Sequence, residues 1–589
     1  LSYDLLRHLK KNKYLGYVQQ LDRGGRATIS SCNYRQQHRS FNIQLESSKQ
    51  NQVGDVVLLN LGPSKDFRVC ETVGRIDDPS IYSTLGILEY GIQENFSQEA
   101  MELAEKACVP DIGVDRTDLR HIDFITIDGD HAKDFDDAVW GCVDQDPSND
   151  GGYCLFVAIA DVSHYVHEGD IIDEEAMARG NSIYLVDRSI PMLPKRLTND
   201  ICCLRPEVDR ACMVAQLHIT PQGDIKKYRF YRGLMRSRAR LTYDQVQNAI
   251  DGHFDELTDQ LWQKTIKPLY DVYKILEKNR KRRHTIDLST TEYVVNFDRR
   301  LGIKDVLLKE RMQSNKLIEE CMIAANVAAA DFIDHYRIGG IFRIHDLPSL
   351  DRLKYLKLVF GQFDLSFKPK NKNSYLDFFE HIIDMSKNHE GLSFLAQHLV
   401  IRSQARALYA PVNIGHFGLN LSLYTHFTSP IRRYSDLVVH RLIGHILDYE
   451  HNKGSQKVCP PLYSFSYLKK LSNHLNECEH LADQVSRIVE KRFLMYYFQQ
   501  QNINHLKGII SKVNERGLII HLTDYGIEGL VERTDLERQW KTSFYLDYCS
   551  YLSEEKKIEF RIGDHVDVTI KNINCHNCGL LFQILLKLG

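Results

Sequence analysis

The sequence predicts a multidomain α/β protein with a small β-barrel toward each end of the chain. Three observations predict it. Short apolar runs separated by turn residues fill two regions, about 14–73 and 503–589. A long segment between them, about 110–449, mixes strand-like and helix-like periodicity. Inside that segment a dense acidic cluster interrupts two strand-like runs, as a loop carrying chemistry does.

The first region contains Tyr14-Leu-Gly-Tyr-Val18 and Val53-Gly-Asp-Val-Val-Leu-Leu59, with Gly24-Gly25 between them, a spacing that reads as strand, turn, strand. In the central segment strands are expected at His121–Ile127 and Cys154–Ile159, and helices at Asn315–Ile333 and Pro430–Leu447. A further helix, Leu468–Gln500, leads into the last region. There His505-Leu-Lys-Gly-Ile-Ile510, Gly517-Leu-Ile-Ile-His521, Gly526-Ile-Glu-Gly-Leu-Val531 and Gly563-Asp-His-Val-Asp-Val-Thr-Ile570 again read as short strands.

At 589 residues, 43% hydrophobic and 26% charged, the composition is that of folded globular domains; disordered, collagenous and disulfide-scaffold classes are excluded. With 75 basic against 78 acidic side chains the net charge is −3, so a nucleic-acid partner cannot be read from bulk charge. The most apolar stretch, Cys321–Ile333, is interrupted by Asn326 and Asp331 and reads as a buried helix rather than a membrane span. Leu1–Lys13 is charged throughout, which argues against an export signal. The fourteen cysteines show no repeated spacing. The single Cys575-x-x-Cys578 lacks a second pair, so free thiols in a reducing cytoplasm are expected.

The acidic cluster is the most informative stretch. From Asp128 to Asp137 it holds five carboxylates, Asp128, Asp130, Asp134, Asp136 and Asp137, and one lysine, Lys133. Carboxylates about 4 Å apart repel by roughly 1 kcal/mol per pair in water and by more in a drier site. A fold therefore spreads them, protonates one, or places a cation among them. Hard divalent ions take such oxygens. The EF-hand alternative fails on spacing, because Ala132, Lys133 and Val139 fall where a ligand, a glycine and a glutamate are required. On the residues alone, a cation site and a solvated acidic turn both remain open.

Thr126-Ile-Asp128-x5-Asp134-x-Asp136-Asp137-Ala resembles the signature of the ribonuclease II / ribonuclease R (RNB) family of Mg²⁺-dependent 3′→5′ exoribonucleases. Matches continue in family order through Ser182-Ile-Tyr184, Ile190-Pro-Met-Leu-Pro194, Leu317–Asn326, Phe342-Arg-Ile-His-Asp346 and Phe427-Thr-Ser-Pro-Ile-Arg432-Arg433-Tyr434. Together they cover nearly the whole chain and favour the bacterial ribonuclease R branch. The last region likewise looks like an S1-type RNA-binding module, a five-stranded oligonucleotide-binding (OB) barrel, and the first looks like a cold-shock barrel. The implied organisation is a cold-shock-like barrel with a short leader (1–90), an RNB catalytic domain (91–450), its helical extension (451–502) and an S1 domain (503–589).

The resemblance implies that Asp128, Asp134, Asp136 and Asp137 are catalytic carboxylates holding one or two Mg²⁺ ions, with Mn²⁺ as an alternative, and that Asp130 is peripheral. Arg432 matches an arginine that clamps the scissile phosphate. Ser429 as N-cap and Pro430 at the first helical position would put Arg432 and Arg433 in a first helical turn, where two cations make sense beside a phosphate. Solvent-facing arginines are the competing reading. Tyr184 matches a tyrosine that stacks on the terminal base, against the alternative of a partly buried core residue. The usual second aromatic is replaced by Leu288. Tyr243 and Glu319 match positions linked to ribose preference, and a structural salt bridge is the alternative for Glu319. The run Lys278-x-Arg280-Lys281-Arg282-Arg283 lines an RNA channel or is a solvated helix face. The expected protein is a monomeric, cytoplasmic hydrolase of single-stranded RNA, with RNA-decay or ribosome-associated factors as candidate partners.

Overall fold

The structure is a computed structural model that describes residues 13–22, 25–32, 40–44, 51–61, 67–285, 292–297, 303–309, 311–361, 372–387, 390–452, 458–501, 503, 505–545, 550–575 and 578–588. Leu1–Asn12, Gly24 and Leu288 lie outside them.

The first strands form a five-stranded antiparallel sheet in the order Ser40–Gln44, Arg26–Ser31, Lys13–Leu21, Asp55–Leu61, Phe67–Arg75. Among the described residues no ladder joins Ser40–Gln44 to Phe67–Arg75, so the strands show the sheet and not the closure of the expected barrel. Both faces of the sheet are used. Val57 and Leu59 bury one face with Val18, Ala27 and Ile29. Val56 and Leu58 turn with Leu15 toward the helix Tyr82–Tyr90 and the long helix Phe465–Gln501. A sheet covered on both faces needs no closure to bury its strands.

The centre of the molecule is a seven-stranded mixed sheet, ordered Ala239–Thr242, Ile125–Asp128, Asp137–Val143, Tyr153–Ala160, Asp209–Ile219, Ile225–Arg236, Thr117–Asp118. Tyr153–Ala160 reads as a nearly continuous apolar run because both of its faces are covered. The helices Lys267–Arg282, Gln313–Tyr336 and Tyr434–His451 share the core of this sheet. In Gln313–Tyr336 small buried residues (Ala324, Ala325, Ala328, Ala329) bring the helix close to its neighbours. Three helices that the sequence reading did not single out, Leu350–Gly361, Lys372–Ser386 and Glu390–Ser403, join the core beneath the C-terminal barrel.

That barrel is closed, in the order Leu506–Asn514, Gly517–Leu522, Ile527–Glu532, Gly579–Leu588, His565–Asn574. Gly517 turns the first hairpin at φ 139°, and a Cβ there would stand 1.9 Å from the Val531 carbonyl oxygen, so only glycine fits. Phe465–Gln501 is the spine that joins the bodies. Its Arg492, fully buried, donates from Nη2 to Glu89 at 2.8 Å on the helix Tyr82–Tyr90, close to Cys32 of the first sheet. Among the described residues no helix is long and apolar enough to cross a membrane, and the thirteen described cysteines are free.

Candidate active site

The strand Ile125–Asp128 buries Ile125, Thr126 and Ile127 and releases the chain at Asp128. Asp137 starts the next strand, paired with Ile159. The connection between them is pinned through its backbone. The Ala160 N–H donates to the Asp136 carbonyl at 2.8 Å, the Leu204 N–H donates to the Phe135 carbonyl at 3.0 Å, and Cys203 Sγ sits between the Phe135 N–H (3.2 Å) and the Lys133 carbonyl (3.3 Å). Arg240 Nη2 donates to the carbonyls of Gly129 (2.6 Å) and Asp130 (2.9 Å). A loop tied at this many points holds its side chains in fixed positions. Asp130 is exposed at the rim.

Asp136 is the best buried of the four aspartates, only 3% exposed. Its Oδ1 accepts from the Ile431 N–H at 2.8 Å, and Arg432 Nε lies 3.5 Å from its Oδ2. Oδ2 is buried and has no hydrogen bond. Burial pushes the Asp136 carboxyl well above its ordinary value, against the opposing pull of Arg432 and the Ile431 N–H. Asp128 is pushed up to about 8, first by burial and then by Asp137, with Arg240 opposing. Asp137 is pushed up to about 6 by burial, with Arg432 and Arg433 opposing. Three neighbouring carboxyls raised together are a site short of positive charge. Among the described residues no three aspartates bring oxygens within 4.8 Å of one another. That open spacing suits Mg²⁺, which uses few protein carboxylates and leaves positions for water and phosphate oxygens. The orphaned Asp136 Oδ2 is an oxygen of the kind such an ion takes.

Tyr184 stands on the short hairpin Ile183–Tyr184/Ser189–Ile190, 45% exposed, and its hydroxyl donates to Asp134 Oδ2 at 2.6 Å. The hydroxyl is thus anchored at the acidic loop while part of the ring stays open to solvent. Burial pushes the pKa of this hydroxyl up, and Asp134 adds to the rise, so the phenol keeps its proton. Tyr243 begins the helix Tyr243–Ile250, just past the strand that pairs with Ile125–Asp128; Asp137 and Asp128 both act on its hydroxyl, which burial raises further.

The helix carrying the arginines begins later than expected. Residues 430–432 form a turn, with Arg432 and Arg433 N–H groups donating to the Ser429 carbonyl at 3.3 and 3.0 Å, and the helix spans Tyr434–His451 with Arg433 as its N-cap. The cause is a tertiary ladder. Asn181 bridges Arg433, and the Ser182 N–H donates to the Arg432 carbonyl at 3.0 Å, which draws Arg433 into extended conformation. Arg432 therefore lies outside the helix. Its guanidinium is half exposed, held by Ser429 Oγ at 3.1 Å, and leans over Asp136. Arg433 is turned inward, with Nη2 on Asp436 Oδ1 at 2.7 Å, and that same oxygen accepts the Ser429 N–H.

Glu319 pairs with Arg280 (3.0 Å) and Arg311, so the structure displays the salt bridge. The basic run behaves likewise. Arg280 also meets Glu320 at 2.7 Å, Lys281 meets Glu277 at 3.6 Å and Arg282 meets Asp224 at 2.8 Å. Sequence reasoning missed Arg240, whose charge opposes the rise of Asp128. A cation alternating with buried Ala239 and Leu241, two residues before a strand turns into a helix, was the available signal.

A family model described as the RNB domain matches residues 116–449, more than half of the chain. The chain belongs to the RNB family. A model of the S1 RNA binding domain matches residues 504–577, which hold four of the five strands of the closed barrel. The Ribonuclease R of Escherichia coli (strain K12) is 36% identical over 478 residues, which are 80% of this RNB chain and 57% of the relative. The chain thus spans little more than half the length of that relative. Among solved structures, Mycoplasma genitalium RNase R in complex with ribose methylated single-stranded RNA superimposes with a TM-score of 0.86 at 23% identity, over 98% of this chain and 90% of that one. Yeast Ssd1, a pseudonuclease, superimposes with a TM-score of 0.67 at 15% identity, over 95% of this chain and 68% of that one. At such identities the two structures establish a shared fold, and one RNB fold serves both a ribonuclease and a pseudonuclease.

Proposed function

We propose that this RNB chain is a processive 3′→5′ exoribonuclease that hydrolyses single-stranded RNA to 5′-mononucleotides in RNA turnover. The observation that carries the reading is the set around Asp136: a buried carboxylate with one unpartnered oxygen, under a half-exposed Arg432, among Asp128, Asp134 and Asp137. Asp128, Asp134, Asp136 and Asp137 would hold the divalent metal, one or two Mg²⁺ with Mn²⁺ as an alternative. When bound, the ion supplies an activated water and charge stabilisation at the leaving 3′ oxygen. The chain's own residues do the rest. The Ile431 N–H fixes the Asp136 carboxylate, Asn181 and Ser182 hold the turn that presents Arg432, and Arg432 meets the charge developing on the phosphate. Tyr184 offers an open ring to any terminal base, which suits digestion without sequence preference. Tyr243 stands where a ribose beside Asp128 and Asp137 would lie, whereas Glu319 and Arg433 contribute through the ion pairs that position their helices.

The closed barrel at the C-terminus and the five-stranded sheet at the N-terminus would guide RNA inward, with salt-dependent affinity. The working division is 1–90, 91–450, 451–502 and 503–589. We place the protein in the cytoplasm, as a monomer that meets RNA-decay or ribosome-associated factors.

The test uses one single-stranded RNA labelled at either end, and the matching DNA, with Mg²⁺ or chelator. The reading expects a 5′ label to pass to a short end fragment without an accumulating ladder and a 3′ label to leave at once as a mononucleotide, on RNA and only with Mg²⁺. Binding without shortening would place the chain with the pseudonucleases, and immediate release of the 5′ label would reverse the polarity.

A further inference from the structure

A second cluster of ligand-bearing side chains lies far along the chain from the aspartates, where the helix Glu390–Ser403 rests on the C-terminal barrel. His521, on the strand Gly517–Leu522, stands directly across the ladder from Glu528 on Ile527–Glu532, and His398 reaches them from the helix. One ligand atom from each of the three lies within 4.8 Å of the other two, the one such group of three among the described residues. From these positions we propose a divalent transition-metal site of the zinc class, formed by His398, His521 and Glu528, that clasps the helix to the barrel.

The second observation is the state of the imidazoles. His521 is only 5% exposed, yet neither Nδ1 nor Nε2 has a hydrogen bond, and His398 Nε2 is also buried without one. Buried polar atoms in folded proteins are nearly always satisfied, and each orphan costs about 1–3 kcal/mol. One nitrogen of each ring converges with the carboxylate, and a single cation there satisfies both of those orphans.

The carboxylate retains room for an ion. Glu528 accepts from Ser511 Oγ (3.0 Å) and Arg402 Nη1 (3.1 Å) at Oε1, and from Arg402 Nη2 (3.2 Å) at Oε2. Those are three of about four lone-pair directions. His398 Nε2 lies 3.5 Å from Glu528 Oε1, too far for a good hydrogen bond, and the lone pair left for an ion is on Oε2. The Arg402 charge disfavours a cation placed beside it, so the ion belongs on the histidine side of the carboxylate. Phe394 packs on His521 with ring centroids 4.6 Å apart, which fixes the imidazole plane. Two nitrogens and one oxygen match zinc rather than Mg²⁺, with one coordination position left for water.

The experiment uses the full-length chain, loaded with Zn²⁺, passed through gel filtration in excess Mg²⁺ to cover the aspartates, and analysed for retained zinc. The proposal expects one equivalent in the parent and in Asp136→Asn. It expects less than a tenth of an equivalent in His521→Gln and in His398→Gln, whose helix position is the safer for folding. With Co²⁺ in place of zinc, the parent should show the intense visible absorption of a four-coordinate site and His398→Gln should not. With Mg²⁺ kept in excess throughout, a chelator selective for zinc should lower the melting temperature of the zinc-loaded parent by about 2 °C or more and leave His398→Gln unmoved. Parent protein that retains no zinc overturns the proposal. So do variants that melt cooperatively and retain as much zinc as the parent; the two histidines are then a packing contact.

Discussion

Asp128 has a carboxyl moved from an ordinary 3.8 to about 8 by burial and by Asp137, which makes the aspartate cluster visible in stability as well as in activity. The perturbation is pH without metal, with Asp128→Asn as the reference. Because the folded state keeps the proton to about 8 and the unfolded chain loses it near 3.8, the folded state binds more protons throughout that window. Stability from this group is therefore greatest below the unfolded value and declines as pH rises toward 8. Between pH 5 and 8 the decline is about 4 kcal/mol at ~1.4 kcal/mol per pH unit. The RNB domain, residues 116–449, is roughly 330 residues long. Such a domain unfolds with an entropy of about 0.7 kcal/mol per degree, so the melting temperature should fall by about 6 °C. The assay is thermal unfolding in chelator at pH 5 to 8, parent against Asp128→Asn, repeated with Mg²⁺. The parent should fall about 6 °C further than the variant, and Mg²⁺ should restore more at pH 8 than at pH 5. If parent and variant keep the same separation at every pH, the carboxyl is not perturbed and the reasoning fails.

Arg432→Ala should slow single-turnover hydrolysis by about 10²–10³-fold while changing RNA affinity less than tenfold, because the guanidinium acts on charge that develops at the phosphate; an equal loss in both would make it a binding residue only. Tyr184→Ala should lengthen the final RNA fragment, whereas Tyr184→Phe, which loses the bond to Asp134 and keeps the ring, should leave fragment length unchanged; a product gel separates them. Glu89→Ala strips the fully buried Arg492 of its carboxylate and should cost about 3–5 kcal/mol, read as a loss in denaturant midpoint. A loss below 1 kcal/mol would mean that water or another acceptor reaches Arg492.

The parts legible in the sequence were those written within short stretches. The five carboxylates between Asp128 and Asp137 announced themselves because a folded chain rarely tolerates such charge density unneutralised. The hairpins of the C-terminal barrel were legible from Gly508, Gly517 and Gly529 amid apolar runs, although Gly579–Leu588, the strand that closes it, was not read. What could not be read depends on distant pairing. Ser429-Pro430 has the local form of a helix start, yet Asn181 and Ser182 capture Arg432 and Arg433 and delay the helix to Tyr434. The basic run from Lys278 to Arg283 gave no hint that Asp224, Glu319 and Glu320 would meet it. Nothing local foretold that Val56 and Leu58 of the N-terminal sheet would pack on helices far along the chain. His398, His521 and Glu528 come from three elements and carry no spacing signal at all.

The most direct measurement of the central claim compares the parent with Asp136→Asn on one 5′-labelled single-stranded RNA in Mg²⁺, following shortening and equilibrium affinity in the same samples. Asparagine keeps the side-chain volume and an acceptor for the Ile431 N–H while removing the charge beneath Arg432. The account predicts that shortening falls by about 10³-fold or more while RNA affinity stays within about threefold. Shortening at the parent rate would contradict it.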